Sequence, residues 1–597
     1  MAIGIVAVLC LLEVASLGPA LADLDSGQQS LSDATRALGS SPGQWTLERI
    51  ASADPLGREA TRKLVAGRDR LKRDSFLSAL RPLPFIGNQV NAMYHLGDAG
   101  VAAGDGFAQL VTVARSYQAA RSDTSPPGQR LLTLLGTSSG PLTAASATIH
   151  PALVALEGDL GHALLPPLRS KISEGVRVLA PADSQAAAGS AVGKYLPPAL
   201  GAAGPRTYLI LLANPAELRP AGGLAGAVGT VTFDRGAPTA LQIRNEGDVN
   251  AKVKRHFDIP YPLERYFKFQ NNSLELSDAT WDPDFPASAA LAEQIYAATG
   301  LPPVDGTISI DPYAIAAMLK NTGPVDVPPY GSFDSENFFT RIDHIVNLDT
   351  SASGGKPALG PIAEAVLRRV LAQPVSDWPS LLSVFQEQAR SRHLQFAIHD
   401  PQLAAAAHSA GYDGALVQGH PDYLLAVDGN VGATKGDYYM TKTMSVKVEL
   451  PGSGVSRHEV LLDYDLPLPR DSDDRGLNSG PGQYLDYLRV YLPETAHLAG
   501  FHFTEDGRPS TDGGFDRLTF EHGRTAVGIN FRLPRGHRVQ VRLDYEVPLS
   551  AGNSYELYVQ KQAGIPSRPT TVEYSYPGGR GHQAADLAVD ADFKVQW

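Results

Sequence analysis

The chain is poor in cysteine: Cys10 is the single one among 597 residues. That excludes an intramolecular disulfide and any thiolate-built structural zinc site. Charged residues are sparse, at 19%, against roughly a quarter in an ordinary soluble domain. Their balance is acidic, since 63 Asp and Glu against 51 Lys and Arg give −12. Such a chain is a poor general binder of nucleic acid, whose phosphates demand a basic surface. There is no His-Glu-x-x-His, no Gly-Lys-Ser/Thr phosphate loop, and no Gly-x-Ser-x-Gly set between a strand and a helix. His393, His399 and His408 are scattered near helical sequence and read as core or surface residues. Lys252, Lys254, Arg255 and His256 read as a solvated basic loop. What is abundant is glycine (58) and proline (45), which fits many turns. The length suggests roughly three or four folded units, with ample core.

One long apolar run exists. It starts at Ile3-Gly4-Ile5-Val6-Ala7 and continues to Ala22, interrupted by Glu13. It is about long enough to span a bilayer. It ends in Ala20-Leu21-Ala22, a small-residue pattern like a secretory cleavage site. No Lys or Arg precedes it, so the basic flank of a leader is missing. Anchor and cleaved signal both remain open, and either puts residues 25–597 outside the cytoplasm: a single-pass membrane protein, or a secreted one if the segment is removed.

From residue 25 to 200 the sequence is rich in Ala, Leu, Ser and Arg with helical periodicity. Ser30, Ser32 and Asp33 offer N-cap chemistry for a short helix. Leu64, Leu71 and Leu77 make a one-sided stripe over 58–80. Breaks are expected at Pro82–Gly87, at Pro126-Pro127 and at Gly136–Pro141. Beyond Pro205, Thr207–Ala213 reads as a strand buried on both faces. Strands at 226–233, 239–243 and 304–310 alternate with helices at 286–299 and 313–320, which argues a central α/β sandwich. Helices are expected again from Pro361 to His408. After about residue 436, Met444, Val446, Val448 and Leu450 alternate with polar residues, as do Val539, Val541, Leu543 and Tyr545. Period two with turn punctuation predicts an antiparallel β-sandwich with one solvated face. The expected architecture is a multidomain α+β protein: 1–24 anchor or signal, 25–200 helical membrane-proximal region, 201–435 α/β domain, 436–597 β-sandwich.

Open α/β sheets place ligands at the carboxyl ends of their strands. The loop Asn214–Gly223 occupies that position after the first strand, with Glu217, Arg219, Gly222 and Gly223. An arginine fork suits phosphate oxygens, and a glycine pair lets backbone N–H groups approach an anion. A plain turn with Arg219 paired to Glu217 fits equally. Arg244 and Asp248 end another strand of the same sheet; beside a phosphate they suit a divalent metal, or else form a solvated hairpin end. Asp278, Asp282 and Asp284 precede a helix, as ligands or caps, with Trp281 and Phe285 as core plugs.

Several longer motifs resemble the DUF4012 family, bacterial membrane-anchored proteins frequent in actinobacteria. They are Pro84–Gly87, Asn214–Gly223, Trp281–Pro286, Val304–Gly306 with Ile310–Pro312, and Thr322–Val325. In the tail they are Asn430, Lys435–Asp437, Tyr484–Val490 and Lys561–Gly564. The central part also looks like a distant relative of the LytR-CpsA-Psr domain. Members of that family transfer polyprenyl-pyrophosphate-linked glycopolymers to peptidoglycan with pyrophosphate-holding arginines and an Asp-bound Mg²⁺. The resemblance implies Arg219 as the first pyrophosphate arginine and Arg244 with Asp248 as the second Arg–Asp pair. Mg²⁺ would fall to Asp248 or Asp284, and substrate contacts to Glu217, Gly222, Gly223 and Asp282. The sequence departs from that pattern: Asn214 stands where the family has Asp, Asp248 lies four residues after Arg244, and a lysine expected near Asp278 is absent. Two readings therefore stand: an extracytoplasmic glycopolymer phosphotransferase, or a non-catalytic envelope protein that binds glycopolymer, cell wall or a protein partner. The transferase reading requires Arg219 and Arg244 to meet at one anion-sized hollow.

Overall fold

Periodicity and capping set the local structure of the first unit, Met1–Pro205 with Asp234–Ala237 and Gln373–Pro379. The computed structural model describes residues 2–597 except 270–271, 348–357, 375–376, 433, 468–482 and 551. Helices α1 (Ala2–Leu38), α2 (Leu47–Arg73), α3 (Ser75–Leu80), α4 (Ile86–Ser122), α5 (Pro127–Leu160) and α6 (Pro166–Ala199) form this unit. Thr46 caps α2 by accepting from Arg49 N–H, and Asp74 caps α3 by accepting from Phe76 and Leu77. Ala34, Leu38, Ile50, Ala53, Phe107 and Val111 pack together from α1, α2 and α4, burying the apolar stripes that mark these helices.

Two expectations fail here. Ser30, Ser32 and Asp33 do not start a helix; they lie inside α1, because Ala20, Ala34 and Leu38 continue one buried stripe. Gly136–Pro141 does not break α5, whose packing residues Ser138, Ala145 and Ile149 run past it; packing offsets the roughly 3 kcal/mol an internal proline costs. Among the described residues no helix is long and apolar enough to cross a membrane. The side chains of residues 1–17, which carry most of the anchor-or-signal expectation, lie outside the described residues.

The second unit covers Arg206–Phe233, Pro238–Ala372 and Ser380–Trp597. Its first sheet uses β1 (Arg206–Asn214), β2 (Leu224–Asp234), β3 (Ala237–Asn245), β4 (Gly306–Ile310) and, further along, β7 (Leu394–Ile398), in the order β3-β2-β1-β4-β7. β1 and β4 are parallel; β1–β2 and β4–β7 are antiparallel. A short pair, β5 (Val325–Val327) and β6 (Gly331–Phe333), lies outside it. The helices are α7 (Glu246–Asn250), α8 (Leu263–Tyr266), α9 (Phe285–Ala297), α10 (Pro312–Thr322), α11 (Phe338–Asn347), α12 (Leu359–Leu371), α13 (Trp378–Arg390) and α14 (Pro401–Ser409). Asp311 starts α10 by accepting from Tyr313 and Ala314 N–H, while Pro312 sits where a missing N–H costs nothing. The strand β7 interrupts the helical stretch expected over 361–408; it is too short for periodicity to separate it from its helical flanks.

The sandwich follows. One sheet has the order β14-β15-β11-β8-β17-β20, the other β13-β12-β16-β10-β9-β18-β19. Their strands are β8 (Tyr423–Val427), β9 (Thr441–Glu449), β10 (Gly454–Leu466), β11 (Gln483–Pro493), β12 (His497–Glu505), β13 (Arg508–Pro509), β14 (Gly513–Glu521), β15 (Arg524–Pro534), β16 (His537–Leu549), β17 (Ser554–Val559), β18 (Thr570–Tyr576), β19 (Gly579–Ala585) and β20 (Ala591–Gln596). The expected boundary at 435/436 is displaced, because β8 is a central strand of the six-stranded sheet. β9 and β16 keep the one-faced alternation. β8 and most of β11 are buried on both faces: Tyr487 of β11 packs with Trp281 and Phe285 of the α/β layer, and Tyr423, Leu425 and Val427 of β8 pack with Leu416. The unit is therefore layered, with the six-stranded sheet between the other sandwich sheet and the α/β layer.

Candidate functional site

The loop after β1 is closed, not open. Arg219 is 2% exposed. Its Nε donates to Asp278 Oδ1 at 2.7 Å, and its Nη1 donates to the carbonyls of Asn430 at 2.7 Å and Leu218 at 3.3 Å. The guanidinium also sits 5.4 Å from the Phe267 ring centre. Asp278 is held on its other oxygen by Ser277 Oγ at 3.1 Å. Gly222 N–H donates to Arg219 O at 2.9 Å. Gly222 and Gly223 both have positive φ (122° and 135°), and a Cβ on Gly223 would stand 2.4 Å from Asn214 O. Ala221 bridges to Ala563, and a Cβ on Gly564 (φ 82°) would stand 2.3 Å from Gly222 O. The glycines let two backbones touch. Glu217 accepts from Asn214 Nδ2 at 3.3 Å and faces Lys435 at 3.9 Å, not Arg219.

Most of the remaining predicted residues have partners of their own. Arg244, partly exposed, donates to Gln242 at 2.6 Å. Asp248 is exposed on α7. Asp282 pairs with His522 at 2.9 Å and accepts from Asp284 N–H at 2.8 Å. That carboxylate hydrogen bond raises the pKa of the His522 imidazole. Asp284 precedes α9 without a side-chain cap; its Oδ1 accepts from Leu416 N–H at 2.9 Å, and burial pushes its carboxyl up. Trp281 and Phe285 are core residues, as expected. Among the described residues neither Asp248 nor Asp284 belongs to a group of three or more His, Cys, Asp or Glu side chains that could hold a metal. Arg219 is held in a buried ion pair with Asp278, and Arg244 is a partly exposed arginine bonded to Gln242.

What the family-like motifs build instead is a polar seam between the α/β layer and the sandwich. Asp437 accepts from Leu218 N–H at 3.1 Å, Asn430 Nδ2 at 2.9 Å, Tyr484 Oη at 2.9 Å and Lys442 Nζ at 2.7 Å. Lys442 also reaches Asp428 at 3.0 Å; Tyr464 Oη donates to Asp428 at 2.7 Å, and Arg568 pairs with it. Gln562 exchanges two hydrogen bonds with the Asp428 backbone. Two cations thus face three carboxyls, since Asp486 lies in the same interior. Burial and neighbouring Asp428 push the Asp486 carboxyl well up; burial also acts on Asp428, but Arg568 and Lys442 outweigh it and hold Asp428 down. Breaking one member of such a buried charged network is costly, although Asp486 Oδ2 and Arg568 Nε themselves make no hydrogen bond. Sequence reasoning listed Asn430, Asp437 and Lys561 only as motif letters and missed Asp428, Lys442 and Arg568. Their one signal was a charged residue inside an otherwise apolar strand or beside one.

An open concavity of this unit lies at the other end of the sheet, where β7 ends. It has a volume of about 440 Å³ between α9, β7 and α14, with Ala289 and Ala404 in its apolar lining. Two histidine–carboxylate pairs also line it: His399 Nε2 to Glu293 at 2.5 Å and His408 Nδ1 to Asp413 at 2.7 Å. Thr307 Oγ1 donates to Glu293 at 2.6 Å, so these carboxylates are already engaged.

Comparison with known proteins adds a family-model match to one segment but no activity. No curated protein matches the chain. Among solved structures, an M1 zinc metallopeptidase from Deinococcus radiodurans is similar at 12% identity and TM-score 0.15, over 24% of this chain and 34% of that one. A mutant of that peptidase bound to a Tyr-Ser-Ala substrate gives 12% identity and TM-score 0.14, over 24% and 33%. The match thus spans about a third of those chains, and at such TM-scores it carries no functional argument. Residues 203–344 match the family model described as "Protein of unknown function (DUF4012)", the segment that holds the Asn214–Gly223 and Trp281–Pro286 motifs.

Proposed function

We propose that this protein is a non-catalytic, extracytoplasmic envelope protein that presents a binding body for glycopolymer or a protein partner. In this reading the apolar segment at its N-terminus exports or tethers it. The observation that carries the reading is the fate of Arg219: its guanidinium is consumed by Asp278 and by two backbone carbonyls. A guanidinium so engaged is not available to a pyrophosphate without breaking a buried pair. The motif glycines likewise serve backbone contact. The competing reading, suggested by the LytR-CpsA-Psr-like motif order, is a Mg²⁺-dependent transferase that needs Arg219, Arg244 and Asp248 together.

Arg244 and Asp248 separate the two readings, because neither is buried. Arg244→Ala and Asp248→Ala, each introduced into a strain that depends on this gene, are expected to complement fully at normal protein abundance. Loss of complementation at unchanged abundance would refute the non-catalytic reading. Binding is measured with the full chain on purified cell wall. A fragment beginning at 436 lacks β8, a central strand of one sandwich sheet.

A further inference from the structure

Among the described residues the two sandwich sheets end in the edge strands β13, β19, β14 and β20, and these are not alike. β13 is two residues long and ends in Pro509. β19 carries Arg580, His582 and Gln583, and β20 carries Asp592, Lys594 and Gln596. Short length, proline and charge are what keep a free edge from pairing with another chain. β14 exposes apolar side chains instead: Phe515, Leu518 and Phe520 are 44%, 50% and 61% exposed.

The backbone of β14 sets what this edge accepts. The turn His522-Gly523, with φ of 50° and 72°, joins β14 to β15 and leaves Glu521 opposite Arg524. Such a two-residue turn makes its flanking residues a hydrogen-bonded pair, and bonded and non-bonded pairs then alternate along the ladder. Arg517, Thr519 and Glu521 therefore bond to β15, while the N–H and C=O groups of Leu518 and Phe520 point outward. A bulge between Phe515 and Arg517 ends this regular stretch. Among the described residues nothing pairs with the outward groups. Leu518 and Phe520 stand opposite Val527 and Thr525, and Val527 belongs to the core between the two sheets. Yet β12 covers only the start of β14: the Phe501 ring centre lies 6.5 Å from that of Phe515, and a Cβ on Gly513 would run into Phe503. Arg517 and Glu521 lie on the other face, with side chains 44% and 28% exposed. The edge is thus shaped for an extended polypeptide that sets apolar residues against Leu518 and Phe520, a negative charge against Arg517 and a positive one against Glu521. The strand itself has that sequence when read backwards: Arg517-Leu518-Thr519-Phe520-Glu521 is apolar on each side of Thr519 and opposite in charge at its ends.

We infer that β14 pairs antiparallel with β14 of a second copy of this chain, across a two-fold axis at Thr519, and so joins two six-stranded sheets into one. In this register Leu518 lies opposite Phe520 of the second copy, and each such pair exchanges both N–H···O bonds. Arg517 then faces Glu521 of the second copy, an opposite-charge cross-strand pair. Setting Leu518 against Leu518, or Phe520 against Phe520, keeps the backbone bonds but separates Arg517 from Glu521. The contact is isologous, so it closes at two copies. Two measurements on the full chain test it. The first is sedimentation velocity, in which the wild type is expected to form a concentration-dependent dimer. Phe520→Lys, at an exposed position, is expected to be monomeric at the same concentration with native circular dichroism. The second is crosslinking in a Cys10→Ala background. Thr519 meets itself in a non-hydrogen-bonded pair with Cα atoms about 4.5 Å apart, within disulfide reach. Thr519→Cys should therefore give a reducible covalent dimer on mild oxidation, and His582→Cys, on the edge strand β19, should not. A wild type that stays monomeric up to about 100 μM would overturn the inference. So would a dimer that persists in Phe520→Lys, or crosslinking of Thr519→Cys no faster than that of His582→Cys.

Discussion

Replacing Arg219 by alanine is the perturbation that most directly tests the seam. The substitution removes the 2.7 Å bond to Asp278 and the 2.7 Å bond to the Asn430 carbonyl. It leaves the Asp278 carboxylate, in a residue 6% exposed, with only the Ser277 hydroxyl. An orphaned buried acceptor costs about 1–3 kcal/mol, and breaking a buried pair by removing one partner costs about 3–5 kcal/mol. A loss of about 4 kcal/mol at an m-value of about 3 kcal/mol/M lowers the urea midpoint by about 1.3 M. The assay is urea unfolding of the full chain followed by tryptophan fluorescence, since Trp281 lies in the adjoining core. Asp278→Ala should cost a similar amount. The double variant Arg219→Met with Asp278→Leu should lose much less than the two single losses added, because no unpaired charge remains. A midpoint within about 0.3 M of wild type for Arg219→Ala would refute the argument and return the guanidinium to a chemical role.

Other perturbations follow from the same interior. Lys561 is 1% exposed and donates to the carbonyls of Ser391 and Gln562, and no carboxylate among the described residues forms an ion pair with it. Burial pushes its pKa down to about 7 from 10.5. The unfolded chain therefore binds the extra proton between those values, and stability should rise with pH by about 1.4 kcal/mol per unit from pH 7 to 9. Lys561→Met should remove that slope in urea titrations across this range, and an unchanged slope would disprove the assignment. Gly564→Ala should cost at least about 2 kcal/mol, because its Cβ would meet Gly222 O at 2.3 Å. Gly411→Ala, also at positive φ but in open space, should cost about 1 kcal/mol; equal losses would contradict the close-approach argument. The Asp282–His522 contact has the opposite pH sign. The raised imidazole pKa means its contribution is complete below about 6.5 and is lost as pH climbs through the folded value. Asp282→Asn should abolish that part of the pH dependence of the unfolding midpoint.

The sequence by itself determined the elements. The apolar run Thr207–Ala213 became β1, the strand and helix signals over 226–320 became β2, β3, α9, β4 and α10, and the alternation around Met444 and Val539 became β9 and β16. Each is a local matter of period, cap and turn, which neighbours along the chain carry. The motif letters also pointed to the family model that residues 203–344 match. What the sequence did not contain was the use of those letters. Arg219 beside two glycines at the end of a strand has the same local pattern whether it faces an anion or a carboxylate. The choice was made by Asp278, 59 residues on, and Asn430, 211 residues on, and by a sandwich packed over the carboxyl end of β1. The same packing buried β8 and β11 on both faces and moved β8 across the expected domain boundary. Pairing partners and burial are properties of residues remote in the chain, so only the tertiary structure decided them: a charge in a motif acquires its role from what the fold sets against it.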